Sequence, residues 1–77
     1  MLTKEQVKMA RAALGWGVRD LAKKTGIAAN TISRFENGTD ARGSTLRKIQ
    51  RALEDSGILF IDGNGGGVGV RFRDRKK

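Results

Sequence analysis

Neither histidine nor cysteine occurs among the 77 residues. With them go the commonest general base, the thiol nucleophile and the usual zinc ligands, so a metal site or catalytic triad would have to be built from carboxylates alone. A chain this short folds as one small domain whose modest core has no volume to enclose an active site of any size. No enzymatic activity, metal or cofactor is therefore expected. The lack of cysteine fits a reducing compartment. There is also no signal peptide and no long apolar run, which places the protein in the cytoplasm and off the membrane, at the nucleoid when bound to DNA. Aromatic residues are scarce, one Trp and three Phe. A series of stacking platforms for single-stranded nucleic acid is thereby disfavoured, and Trp16 reads as a packing residue between the first two helices.

What the chain does carry is positive charge. Sixteen Lys and Arg stand against eight Asp and Glu, a net charge of +8 with a pI near 10.9. On so small a surface that field favours a polyanion, duplex DNA or RNA first among them. A basic face kept only for solubility is the bland alternative, and charge alone does not separate the two.

The stretch from Val18 to Gly38, VRDLAKKTGIAANTISRFENG, does. Counting from Val18, small Ala22 falls fifth, Gly26 ninth and Ile32 fifteenth, with Leu21, Ile27 and Phe35 as further apolar anchors. Two short helices crossing steeply through a tight turn need this spacing. Ala22 permits close approach, Gly26 takes the positive φ that ends the first helix, and Ile32 closes the corner. A first helix is expected from about Lys4 to Leu14, begun by a Thr3/Gln6 capping box and apolar at Val7, Ala10 and Leu14. Helix 2 follows over Val18 to Thr25, with Val18, Leu21 and Ala22 inward. Helix 3 spans Ala29 to Asn37, with Ile32 and Phe35 inward, Ala29, Asn30, Ser33 and Arg34 outward, and a left-handed cap at Asn37 and Gly38. Helix 4 runs from about Ser44 to Asp55 with Leu46, Ile49, Ala52 and Leu53 as its stripe, and Gly57 stops it.

LAKKTGI, TISRFENG and TLRKIQRALE, in this order, resemble the DNA-binding domain of the phage repressor and Cro-like regulators, the XRE family of helix-turn-helix proteins. The resemblance covers Thr3 to about Asp55. It implies a mainly α fold, a lambda-repressor-like domain of four to five helices with helix 3 in the DNA major groove, and a two-fold dimer on a partly palindromic operator. The family's base-reading positions fall on Ala29, Asn30 and Arg34. Asn pairs with N6 and N7 of adenine, Arg forks onto O6 and N7 of guanine, and Ala offers a methyl contact to thymine. Ser33 is a further base contact. Phosphate contacts are expected from Arg19, Lys23, Thr31, Asn37, Thr39 and Arg42. The family often places Gln at the start of helix 2, where this chain has Val18, so Arg19 or Arg42 takes over that contact. An Arg in helix 1 paired with the Glu of the ENG run falls on Arg11 and Glu36, a structural ion pair.

After Gly57 the character changes. Ile58 to Ile61 is β-prone, Asp62 to Gly67 is a glycine-rich turn, and Val68, Val70 and Phe72 alternate with Gly69, Arg71 and Arg73, which reads as a β-hairpin. GNGGGVG lacks the spacing of a phosphate loop and no helix follows it. An isolated hairpin is marginal in water, so it needs a partner. A second copy would bury Leu59, Ile61, Val68, Val70 and Phe72. The chain is thus divided into a helix-turn-helix domain at 1–57, a dimerisation hairpin at 58–73 and a basic tail at 74–77. Two functions compete. One is a homodimeric, sequence-specific double-stranded DNA-binding repressor. The other is an antitoxin-like or anti-activator module whose hairpin captures a protein partner. With no ligand-sensing domain, regulation is expected from concentration, proteolysis or a protein partner.

Overall fold

The computed structural model describes residues 2–63 and 66–74. Four helices, α1 (Lys4–Leu14), α2 (Val18–Thr25), α3 (Ala29–Glu36) and α4 (Gly43–Asp55), precede an antiparallel hairpin of β1 (Ile58–Ile61) and β2 (Gly69–Phe72).

Local chemistry sets each boundary. The Thr3 hydroxyl accepts from the Gln6 amide at 3.1 Å while the Gln6 side-chain oxygen accepts from the Thr3 amide at 3.0 Å, which closes the capping box. Gly26 ends α2 at φ 75°, and its amide donates to the Ala22 carbonyl at 2.8 Å. The Thr25 hydroxyl then donates to the Leu21 carbonyl at 2.9 Å and accepts from the Ile27 amide at 3.2 Å, fastening the turn from both sides. A Cβ at Gly26 would meet no atom within 4 Å. The cost of a side chain there is therefore backbone strain alone. Gly26→Ala is expected to lower stability by roughly 1–2 kcal/mol, seen as a lower urea midpoint with an unchanged m value.

Two boundaries differ from the sequence expectation. The cap of α3, Asn37, has φ −93° and is not left-handed; Gly38 alone takes positive φ, at 108°. Left-handed geometry costs an asparagine more than a glycine, so the glycine absorbs it. Helix α4 starts at Gly43, one residue early.

The core joins Leu2, Val7 and Ala10 to Leu21, Ile32, Leu46, Ile49, Leu53 and Ile58. Val18, Ala22, Phe35 and Ala52 are only half-buried at its margin, and Leu2, which no periodicity singled out, is inside it. Trp16 packs on this core, with the Lys24 ammonium 5.6 Å from its ring centroid.

The hairpin folds back on α1 and α4. Its register pairs Ile58 with Phe72 and Phe60 with Val70 on one face, and Leu59 with Arg71 and Ile61 with Gly69 on the other. The first face packs on the core. Leu59, Ile61 and Val68 stay exposed at 38%, 39% and 36%. Of the five residues expected to form one dimer surface, the strand pleat turns Val70 and Phe72 onto their own domain and Leu59 and Ile61 away from it, while Val68 lies just before β2. Part of the expected turn, residues 64 and 65, and the end of the basic tail, residues 75–77, lie outside the described residues.

Candidate nucleic-acid interface

Arg11 joins three helix ends. Its Nε donates to Glu36 Oε2 and its Nη2 to Glu36 Oε1, both at 2.7 Å, while Nη1 donates to the Trp16 carbonyl at 3.0 Å. The end of α1, the entry to α2 and the last turn of α3 are held by one guanidinium. Glu36 is buried, so this is a charge-assisted fork shielded from most solvent. The bond to Glu36 raises the Arg11 pKa above its ordinary value, against an opposing burial effect and with the added attraction of the Glu36 charge. Arg11 therefore remains charged throughout the neutral range.

With its C-terminal turn clamped and Ile32 fully buried, α3 turns a fixed face outward. At 100° per residue Asn30, Arg34 and Asn37 lie along one ridge, and all three are exposed. Ala29 and Ser33 flank that ridge half-buried, and exposed Thr31 lies on its other side. Among the described residues, the side chains of Asn30, Ser33 and Arg34 make no hydrogen bond or salt bridge within the protein. The ridge thus presents an amide and a guanidinium one helical turn apart with their hydrogen-bonding capacity free. Ala28, before α3, offers no side-chain acceptor to the helix's first amides.

Arg19 and Lys23 on α2, and Thr39 and Arg42 between α3 and α4, are all exposed. At the start of α2 the Asp20 carboxylate accepts from the Gly17 amide at 2.8 Å. This carboxylate lies in the first turn of α2, two residues after Val18.

Gln6 was legible only as a capping residue. It is 2% exposed, and its Nε2 donates to the Ile61 carbonyl at 3.1 Å and to the Gly69 carbonyl at 3.2 Å. Arg73 fastens the other end of the hairpin: its amide donates to the Gly57 carbonyl at 2.7 Å and its Nη1 to the Glu54 carbonyl at 3.1 Å. That puts a cation at the C-terminal end of α4, where the helix dipole favours one. Among the described residues every buried side-chain nitrogen and oxygen has a partner, and no group of three potential metal ligands is brought together. No described helix is long and apolar enough to cross a membrane.

A family model described as helix-turn-helix matches residues 7–56. The chain is 38% identical over 61 residues to a protein of Archaeoglobus fulgidus whose name describes an HTH-type transcriptional regulatory protein, over 79% of this chain and 20% of that one. It is 45% identical over 54 residues to Antitoxin HipB of Escherichia coli O6:H1, over 69% of this chain and 57% of the antitoxin. To Antitoxin HipB of Escherichia coli K12 it is 44% identical over 54 residues, over 69% of this chain and 61% of the antitoxin. The chain thus spans about a fifth of the archaeal relative and about three fifths of the antitoxins.

Proposed function

The chain belongs to the XRE-type helix-turn-helix family, and from that premise we propose that it is a homodimeric transcriptional repressor that reads a partly palindromic operator through α3. The observation that carries this reading is the ridge of α3, where Asn30 and Arg34 stand exposed without protein partners on a helix clamped at its end. Asn30 reads adenine and Arg34 guanine, with Ala29 and Ser33 at the flank. Arg19, Lys23 and Arg42 bind phosphates, assisted by Thr31, Asn37 and Thr39. The protein acts by occupying DNA in the cytoplasm, at the nucleoid, and not by chemistry.

Dimerisation is proposed through the outer face of the hairpin, where Leu59 and Ile61 remain exposed, with exposed Val68 just before β2; among the described residues no third strand pairs with the two-stranded sheet. Two recognition helices about one DNA turn apart multiply a modest half-site affinity. Selection of sites from a random duplex pool at near-physiological salt tests the whole reading. Enrichment of a two-fold symmetric site with half-sites about 10 base pairs apart is expected; recovery of no preferred sequence by folded protein refutes it.

Salt dependence separates dimer from monomer. Only the cationic contacts release counterions, so three per subunit predict a loss of about 10³ in affinity between 50 and 200 mM salt for a dimer, and only about 40-fold for a monomer. Fluorescence anisotropy across that range reads the difference directly.

A second reading is supported by the relatives named as antitoxins together with the exposed outer face of the hairpin. Here the same surface also captures a protein partner. Co-purification of a stoichiometric partner that is lost on Leu59→Lys while the protein stays folded would favour it.

A further inference from the structure

We propose that Gln6 is a positioning residue for the recognition helix, acting through α1 and Arg11, so that the hairpin helps set how α3 is held against DNA. The inference rests on the DNA-binding function proposed above.

The most direct path between hairpin and reading helix runs through a single helix, and a longer one passes through α4 and α2. The hairpin packs mainly on α1 and α4, whereas α3 packs mainly on α1 and α2. Helix α1 is therefore the shared neighbour. Its apolar grip is thin: the fully buried side chains on it are Val7 and Ala10, both small, with Leu14 only half-buried. Polar clamps must then fix its position along its own axis.

There are two, about 7.5 Å apart along the helix. At Arg11 the fork grips Glu36 and the Trp16 carbonyl. At Gln6 both amide hydrogens are used, one on the carbonyl of each member of the Ile61/Gly69 pair. Its oxygen is engaged by the Thr3 amide. A buried amide satisfied at every position accepts one geometry only. Sliding α1 by about 1 Å would stretch these bonds beyond useful length and carry Arg11, and with it the last turn of α3, out of place. The hairpin thus acts on Asn30 and Arg34 without touching DNA.

The test uses the full chain and begins with wild-type affinity for its selected operator and for a scrambled duplex. Gln6→Met keeps the length and bulk of the side chain but removes both donors. At a temperature where it is folded, its operator-to-scrambled ratio is expected to fall at least tenfold, while scrambled-duplex affinity and salt slope stay within about twofold, as for loss of one good base contact. Ile49→Val, buried in α4, supplies a mild loss of stability without disturbing either clamp and should keep the wild-type ratio.

Gln6→Glu provides an independent arm. Its carboxylate faces two carbonyl oxygens until protonation restores one donor, and burial raises its pKa. The ratio for Gln6→Glu should climb as pH falls from 8 to 5.5. The chain contains no histidine, so no side chain of the wild type ordinarily titrates in that window, and the wild-type profile supplies the baseline. Folded Gln6→Met with the wild-type ratio, Ile49→Val with an equal loss, or a pH-independent Gln6→Glu each overturns the proposal.

If the wild type itself prefers no duplex, the DNA-binding function has failed, and amide exchange in free Gln6→Met isolates the clamp. Faster exchange at the end of α3 than in α4 supports it; equal exchange in both overturns it.

Discussion

Arg34→Ala is expected to abolish site preference while leaving the fold intact. Arg34 is exposed and has no protein partner among the described residues, so its removal costs no packing and stability should change by no more than about 0.5 kcal/mol. Its work is in the fork to guanine, about 1–3 kcal/mol of discrimination per half-site. A symmetric dimer loses this twice, so the operator-to-scrambled affinity ratio should fall by about 10² or more. Affinity for scrambled DNA should fall far less, because Arg19, Lys23 and Arg42 remain. Arg34→Lys separates charge from geometry: it keeps the cation but not the planar fork, and should recover scrambled-duplex affinity without recovering selectivity. Anisotropy titrations of the three proteins on both duplexes decide it. Unchanged selectivity in Arg34→Ala removes Arg34 from the reading surface and, with it, the observation on which the proposed function rests.

The exposed ridge of α3 was legible in sequence because its determinants are local. Gly26 can be recognised nine residues into the motif, since the turn needs a positive φ where a side chain would be strained. Ile32 and the outward Asn30 and Arg34 then follow from helical spacing. The capping box of Thr3 and Gln6 likewise lies within one turn.

What escaped is non-local or lacks a pattern. Gln6 finds its strand carbonyls 55 and 63 residues away, and no periodicity announces an acceptor on the main chain. The hairpin itself was legible, but which of its faces turns inward was not, for a different reason. ILFI is apolar at all four positions of β1, so alternation cannot say which side faces inward. The register decides: Phe72 lies opposite Ile58 and Val70 opposite Phe60, which commits those four side chains to the domain and leaves Leu59 and Ile61 outside. The proposed dimer must therefore use fewer apolar groups than the sequence alone suggested.

Glu36→Ala should be among the most damaging single substitutions available outside the apolar core. It strands the Arg11 guanidinium, partly buried, with the Trp16 carbonyl as its remaining partner. Removing one member of a buried pair costs about 3–5 kcal/mol, out of roughly 4–12 kcal/mol for a domain of this size. The melting temperature should fall by roughly 15–30 °C. In the wild type Glu36 raises the folded-state pKa of Arg11, so the stability the pair contributes is fully present below the unfolded value and is lost only as pH rises through the folded one, well into the alkaline range. The variant lacks that contribution at neutral pH. Replacing both partners, Arg11→Met with Glu36→Leu, should return most of the lost stability, because apolar groups of similar bulk avoid the desolvation cost of the ions. Selectivity should not return with it, since two flexible side chains cannot reproduce a bidentate fork that orients the last turn of α3. Urea unfolding and operator titration of the double variant therefore separate two roles that the single variant confounds. A double variant that is stable and fully selective would make the pair a packing device; one that is stable but indiscriminate makes it part of how α3 is aimed.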